Sequence, residues 1–353
     1  MTRKIGILGL AHGHYKAYCR RWKANPELGV EVAKVWDHDG DRRRQGAENL
    51  GCAACSSPEE MLNDGDVEAV LIAAETAHHA DLVERAAGSG KAIILQKPMA
   101  LTMAEADRVV TAVEQAGARF TMAWQMRVDP QNLEIRRLIK DGDVGRVFMF
   151  RRRHGLSVCL RPEFATQWHM DPAMNRDIWA DDAAHPIDLV YWLFGMPRTV
   201  TAEIEPLHDP KMPMDNGIAV FRYPDGPLVE VCCSFTNLAC ENTTEVIGEK
   251  GSIVQNYGDV PSCNVPKPED AVGVKWFRKE TGEWMHSDIP VPGGHGERIE
   301  GLAPALAEFI HGTRGPIATA GEGRDALRMT LACYVSAREG RRVNLDDPAI
   351  VSV

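Results

Sequence analysis

Over the first 125 residues, short apolar runs alternate with segments carrying helix-start signals, and this alternation constrains the fold more than any other feature of the chain. Strands separated by single helices run parallel and are buried on both faces, which predicts a doubly wound α/β sheet. The runs fall at residues 4–10, 30–36, 67–74, 91–95 and 119–124, and a short buried strand at Cys52-Ala53-Ala54-Cys55 completes six. Between them, Ser57-Pro58-Glu59-Glu60 supplies an N-cap, a first-turn proline and an acid three residues after the cap. Residues 79–87 read as a helix stopped by Gly88-Ser89-Gly90, and Thr102-Met103-Ala104-Glu105 is a capping box for a helix ending at Gly117.

After Pro130 the pattern changes. A helix over 131–140 leads to a strand over 146–153. Two hairpins follow, 218–223 with 228–235 across Pro224-Asp225-Gly226-Pro227, and 243–247 with 252–255 across Gly248-Glu249-Lys250-Gly251. Residues 258–298, rich in Pro and Gly, read as loops, and a last helix runs over 322–339 to Gly340. These elements predict a nucleotide-binding domain over 1–127 and an α+β domain with a mostly antiparallel sheet over 128–353.

A net charge of −10 argues against a nucleic-acid or acidic-membrane partner, so Arg42-Arg43-Arg44 and Arg151-Arg152-Arg153 are read as local features. No apolar run reaches the eighteen or so residues of a membrane span, and residues 5–11 read as a buried strand, not a signal peptide. The nine cysteines have no disulfide rhythm, which points to a reducing cytoplasm. Cys52-x-x-Cys55 has no second pair at zinc spacing, so no metal centre is expected.

Three clusters carry chemistry. The turn Gly9-Leu10-Ala11-His12-Gly13-His14 follows the first strand and precedes a helix, where a doubly wound sheet holds a dinucleotide pyrophosphate, although Ala11 and His14 stand where G-x-G-x-x-G has glycine. Asp37 ends the second strand, where an acid bonds the ribose hydroxyls of NAD and repels the extra phosphate of NADP; the nearby arginines leave NADP as the second choice. Lys97, in Gln96-Lys97-Pro98, ends the fifth strand. Asp181 and His185, at i and i+4, share a helix face, the make-up of a general base and its orienting acid.

In order and spacing these motifs, with Gly142-Asp143-Val144-Gly145, Asp188 and Gly248-Glu249-Lys250-Gly251, resemble the glucose-fructose oxidoreductase/inositol dehydrogenase (Gfo/Idh/MocA) family over about residues 3–345. The resemblance implies a Rossmann domain and a C-terminal α+β domain whose open sheet joins a homodimer or homotetramer. It implies NAD(P)-dependent oxidation of a secondary alcohol of a sugar, cyclitol or sugar acid, or reduction of the ketone. By position, Lys97 resembles the lysine beside the reacting oxygen, His185 the proton-transfer residue, Asp181 the acid that contacts substrate and orients the histidine, and His79 the cofactor-proximal histidine. With Gln96, these join Gly9, Ala11, His12, Gly13, His14 and Asp37 as the implied cofactor and catalytic set.

Two departures stand out. Gln96 replaces the usual glutamate before the lysine, and Asn175-Arg176-Asp177 replaces a glycine trio. Arg176 is expected either to pair an anionic substrate group or to form a surface ion pair with Asp177. Arg153, Arg161, Trp168, His169 and Asn175 are further candidates to line the pocket. Two other readings compete: a regulator that binds NAD without turnover, and a redox-neutral glycoside hydrolase that retains NAD.

Overall fold

The computed structural model of the chain describes residues 1–239, 242–256 and 267–353. Two compact units emerge, one of residues 1–125, 173–175 and 298–327, the other of residues 126–172, 176–297 and 328–353.

In the first unit, strands β1 (Arg3–Leu8), β2 (Val30–Trp36), β3 (Ala53–Ala54), β4 (Ala69–Ile72), β5 (Ala92–Leu95) and β6 (Phe120–Met122) alternate with helices α1 (His14–Ala24), α2 (Gly40–Leu50), α3 (Pro58–Leu62), α4 (His79–Ala87) and α5 (Met103–Ala116). The sheet order is β3-β2-β1-β4-β5-β6, all parallel, with the topological switch between β1 and β4. Its centre is the apolar runs themselves: Ile5, Ile7, Val70, Leu71, Ile93 and Ile94 are fully buried. The helix-start signals act as expected: Ser57 accepts from Glu60 N, and Thr102 and Glu105 form the reciprocal capping box of α5. One expectation fails. Ala53 and Ala54 form an exposed edge strand, not a buried one, because among the described residues no strand pairs beyond β3.

The second unit begins with α6 (Pro130–Lys140) and β7 (Val147–Gly155), followed by α7 (Ala184–Phe194), β8 (Thr199–Glu205), β9 (Asn216–Arg222), β10 (Leu228–Ser234), β11 (Asn242–Gly248), β12 (Gly251–Gln255), β13 (Val274–Arg278) and β14 (Glu283–His286). The chain ends through α8 (His295–Glu300), α9 (Leu302–His311), α10 (Ala320–Glu339) and β15 (Val343–Asn344). Nine strands form one sheet in the order β14-β13-β12-β11-β7-β10-β9-β8-β15, antiparallel except for β7 beside β10. Both expected hairpins, β9–β10 and β11–β12, are present.

The reading of 258–298 as loops is overturned from residue 274 onward, where β13, β14 and the start of α8 stand. The apolar alternation of Val274-Lys275-Trp276-Phe277 was outweighed by the surrounding glycines and prolines, yet pairing with β12 satisfies its backbone. Residues 258–266 of that stretch lie outside the described residues. Helix α9 has no expectation behind it. It belongs to the first unit, where Ala303 O accepts from Trp22 Nε1 of α1 at 2.9 Å.

Candidate active site

In the first unit the glycine turn is held by a backbone only glycine fits. Gly9 has φ of 81°, and a Cβ there would lie 2.4 Å from Ala74 Cα. His12 N donates to Ala73 O at 2.9 Å, drawing the turn against the end of β4. Helix α1 then starts at His14 with Gly13 as N-cap; His14 N donates to His12 Nδ1 at 3.4 Å and Lys16 N to Gly13 O at 3.1 Å, so the helix N-terminus sits directly behind the glycine turn. His12 and His14 meet edge to face with ring centroids 4.4 Å apart, and Ala11 completes the turn.

Asp37 is fully buried, and four donors reach it. Leu10 N (2.7 Å) and Arg42 Nε (2.8 Å) bond Oδ2, while Asp39 N and Arg42 Nη2, both at 2.8 Å, bond Oδ1. A carboxylate offers about four acceptor sites, so a ribose hydroxyl reaches Asp37 only by displacing one of these donors, and Arg42 is the one a ligand can move. Arg42 Nη2 also donates to Glu75 Oε1 at 2.8 Å.

Gln96 and Lys97 are buried at the end of β5, where Gln96 Nε2 donates to Tyr18 Oη at 3.1 Å. The neutral amide suits that phenol, whose own ionisation burial pushes up. His79 is fully enclosed: Nδ1 lies 2.9 Å from Pro98 O and Nε2 3.2 Å from Ala74 O. Burial lowers its pKa to about 4, and the neutral ring has a single N–H, which can donate to only one of the two carbonyls, Pro98 O being the nearer. Any influence of His79 on a cofactor therefore passes through that backbone. Asn175 is fully buried in this unit, with Thr76 Oγ1 donating to its Oδ1 at 2.5 Å and Ala77 N to Met174 O at 3.0 Å.

In the second unit the candidate residues gather at the head of α7. Trp179–Ala183 form a π-turn before the helix, so Asp181 and His185 are not joined by regular α-helical spacing. His169 Nδ1 lies 2.9 Å from Asp181 Oδ2, and Asp182 Oδ1 lies 3.6 Å from His185 Nε2. His185 and Asp181 are 1% and 2% exposed. Trp168 and Phe164 both stack on His169, with ring centroids 3.9 and 5.7 Å away.

His154, on β7, was missed by sequence reasoning. Its ring centroid is 6.2 Å from that of His185, its Nδ1 lies 2.9 Å from Asn242 Oδ1, and burial holds its pKa at about 4. The available signal was period two on β7: Phe150, Arg152 and His154 point inward, and polar residues at inward positions mark a site. The same alternation turns Arg153 outward, exposed on the opposite sheet face, so it does not join the others. Arg161 is exposed as well.

Arg176 has φ of 74°, a glycine-like conformation at the place of the family's glycine trio. Its guanidinium lies 5.4 Å from the Tyr334 ring centroid, and Nη2 donates to Val353 O at 3.1 Å. The surface ion pair with Asp177 is corrected: Asp177 is buried, accepting from Tyr334 Oη at 2.5 Å and Ala180 N at 3.0 Å. Burial pushes Asp177 up to about 6. Asp188, one turn beyond His185, is fully buried in a bidentate pair with Arg127 at 2.8 and 2.9 Å, and this pair anchors α7.

A cavity of about 920 Å³ opens between α1, β2 and the end of α2, but none of the candidate site residues lines it. Among the described residues, no helix is long and apolar enough to cross a membrane.

Comparison with known proteins agrees with the residues. The model described as the oxidoreductase family, NAD-binding Rossmann fold, matches residues 3–124, and that of the GFO/IDH/MocA C-terminal domain matches 132–254. Inositol 2-dehydrogenase of Salmonella typhimurium is 29% identical over 198 residues, 55% of each chain, so the match spans about half the length of that relative. Levoglucosan dehydrogenase of Pseudarthrobacter phenanthrenivorans is 27% identical over 355 residues, 93% of this chain and 85% of its own. A solved levoglucosan dehydrogenase in complex with NADH and levoglucosan superposes with a TM-score of 0.78 at 21% identity, covering 98% of this chain and all of the other, a likeness of fold. The six-stranded parallel sheet falls within the first match and the start of the nine-stranded sheet within the second, and the chain belongs to the glucose-fructose oxidoreductase/inositol dehydrogenase/MocA family.

Proposed function

We propose that the protein is an NAD-dependent dehydrogenase acting on a secondary alcohol of a sugar or cyclitol. The observation that carries this reading is the two acid–histidine pairs at the head of α7, His169 with Asp181 and Asp182 with His185, their acids set in a π-turn, within a family of NAD-binding oxidoreductases.

Bound NAD would supply the hydride acceptor. Gly9, Ala11, His12, Gly13 and His14 would hold its pyrophosphate at the start of α1, and Asp37 its ribose as Arg42 swings away. In this reading His185 takes the proton of the substrate hydroxyl through Nε2, with Asp182 favouring the imidazolium that results. Lys97 stabilises the developing oxyanion. Asp181, fixed by His169, orients the substrate, and neutral His154 accepts a second substrate hydroxyl.

The names of the relatives support a cyclitol or anhydrosugar as substrate. The test is NADH absorbance with inositols and levoglucosan, NAD and NADP in parallel. Turnover with NAD, lost by at least about a hundredfold in Lys97→Ala and His185→Ala, is the expected result. NAD binding without turnover on any polyol would sink the dehydrogenase reading.

The exposed apolar residues Phe148, Ile218, Trp284 and Met285 on the nine-stranded sheet support a homo-oligomer formed through that sheet. Cys19, Cys52, Cys55, Cys159, Cys233 and Cys333 are free thiols, which supports a cytoplasmic location.

A further inference from the structure

We propose that His38, Glu75 and His78 form a binding site for one divalent transition-metal ion. All three belong to the first unit. His38 follows β2, and Glu75 and His78 flank the 3₁₀ turn after β4, whose i, i+3 spacing sets both side chains on one side. One ligand atom from each residue lies within 4.8 Å of the other two. His38 Nδ1 is 3.8 Å from Glu75 Oε2, and the two imidazole centroids are 4.8 Å apart.

Glu75 makes this more than a chance grouping. It is 5% exposed, its Oε1 accepts from Arg42, and its Oε2 is buried with no hydrogen-bond donor. A buried carboxylate oxygen without a donor is costly, and a cation satisfies it. The charges agree: Asp37 and Glu75 outweigh Arg42 by one negative charge, and neither imidazole need be charged. Glu75 is the fixed ligand, while His38, with 44% of its side chain exposed, is free to turn inward. Two imidazoles and a carboxylate suit Zn²⁺, Co²⁺ or Ni²⁺ over Mg²⁺ or Ca²⁺, with a fourth position left to water. Because Arg42 bridges Glu75 and Asp37, metal at this edge competes with NADH; the competition, unlike the site, rests on reading this edge as the cofactor's.

The test is calorimetric titration of the chelator-stripped full chain with ZnCl₂, and visible absorption with CoCl₂. The proposal expects one equivalent bound, affinity weakened by about tenfold or more in each of His38→Ala, Glu75→Gln and His78→Ala, and no change in Cys52→Ser/Cys55→Ser. The Co²⁺ complex should show weak visible bands without the intense near-ultraviolet band of a thiolate ligand. Absence of stoichiometric uptake, uptake untouched by all three substitutions, or a thiolate band overturns the site. NADH fluorescence titration, with and without Zn²⁺, reads the competition: a several-fold weaker affinity in wild type and no change in Glu75→Gln are expected. Zn²⁺ bound at full occupancy with NADH affinity unaltered overturns the shared edge. Failure of NADH to bind even without Zn²⁺ counts against the cofactor reading and leaves the metal result standing.

Discussion

His79 and His154 are buried imidazoles whose pKa falls from 6.5 to about 4 through desolvation, whereas burial raises the Asp177 carboxyl from 3.8 to about 6. The two shifts act on stability with opposite sign. The unfolded histidines take up protons near pH 6.5 and the folded ones do not, so their contribution is complete above 6.5 and drains away as pH falls toward 4. Each is worth up to about 3 kcal/mol over that window. Asp177 favours folding below pH 3.8 and loses that contribution as pH rises through 6. Urea melts at pH 5 and 8 should therefore show Asp177→Asn gaining on wild type by about 1.4 kcal/mol more at pH 8, since the amide oxygen still accepts from Tyr334 and Ala180. His79→Gln should flatten the acid limb of the stability profile between pH 6.5 and 4; an unchanged limb would show that the folded ring protonates freely.

At the scale of elements, helix α7 carries the candidate base and is held by the Arg127–Asp188 pair, in which both side chains are essentially excluded from solvent. Removing one partner strands the other charge, so Arg127→Met should cost about 3–5 kcal/mol in a urea melt. The double change Arg127→Met/Asp188→Leu should recover most of that loss, because the penalty comes from the uncompensated carboxylate. The turn after β1 makes a second case. Gly9→Ala meets both an unfavourable φ and the Ala74 backbone, and should abolish NADH binding measured by fluorescence while lowering stability by several kcal/mol. The capping boxes and hairpin turns were legible in the sequence because their signals are local. The π-turn before α7 was not, since an inserted residue in a helix leaves no mark in spacing.

At the scale of the whole molecule, a cut at the apparent sequence boundary leaves the first unit incomplete. A fragment of residues 1–127 lacks α9, whose Leu302, Leu306 and Phe309 are buried and whose Ala303 O accepts from Trp22. It should show poor amide dispersion by NMR, and adding back residues 298–327 should restore it. By itself the sequence determined the six-stranded parallel sheet, the two hairpins, and the residue types at the glycine turn, Lys97 and the Asp181–His185 stretch, because apolar period, caps and turn chemistry act over a few residues. Only the tertiary structure decided which acid stands beside which histidine, that Arg153 faces away from His154, that Asp37 is already bonded by Arg42, and that Glu75 lies near two imidazoles. Those relations join residues distant in the chain, and sheet order, strand register and burial set them, none of which any local stretch encodes.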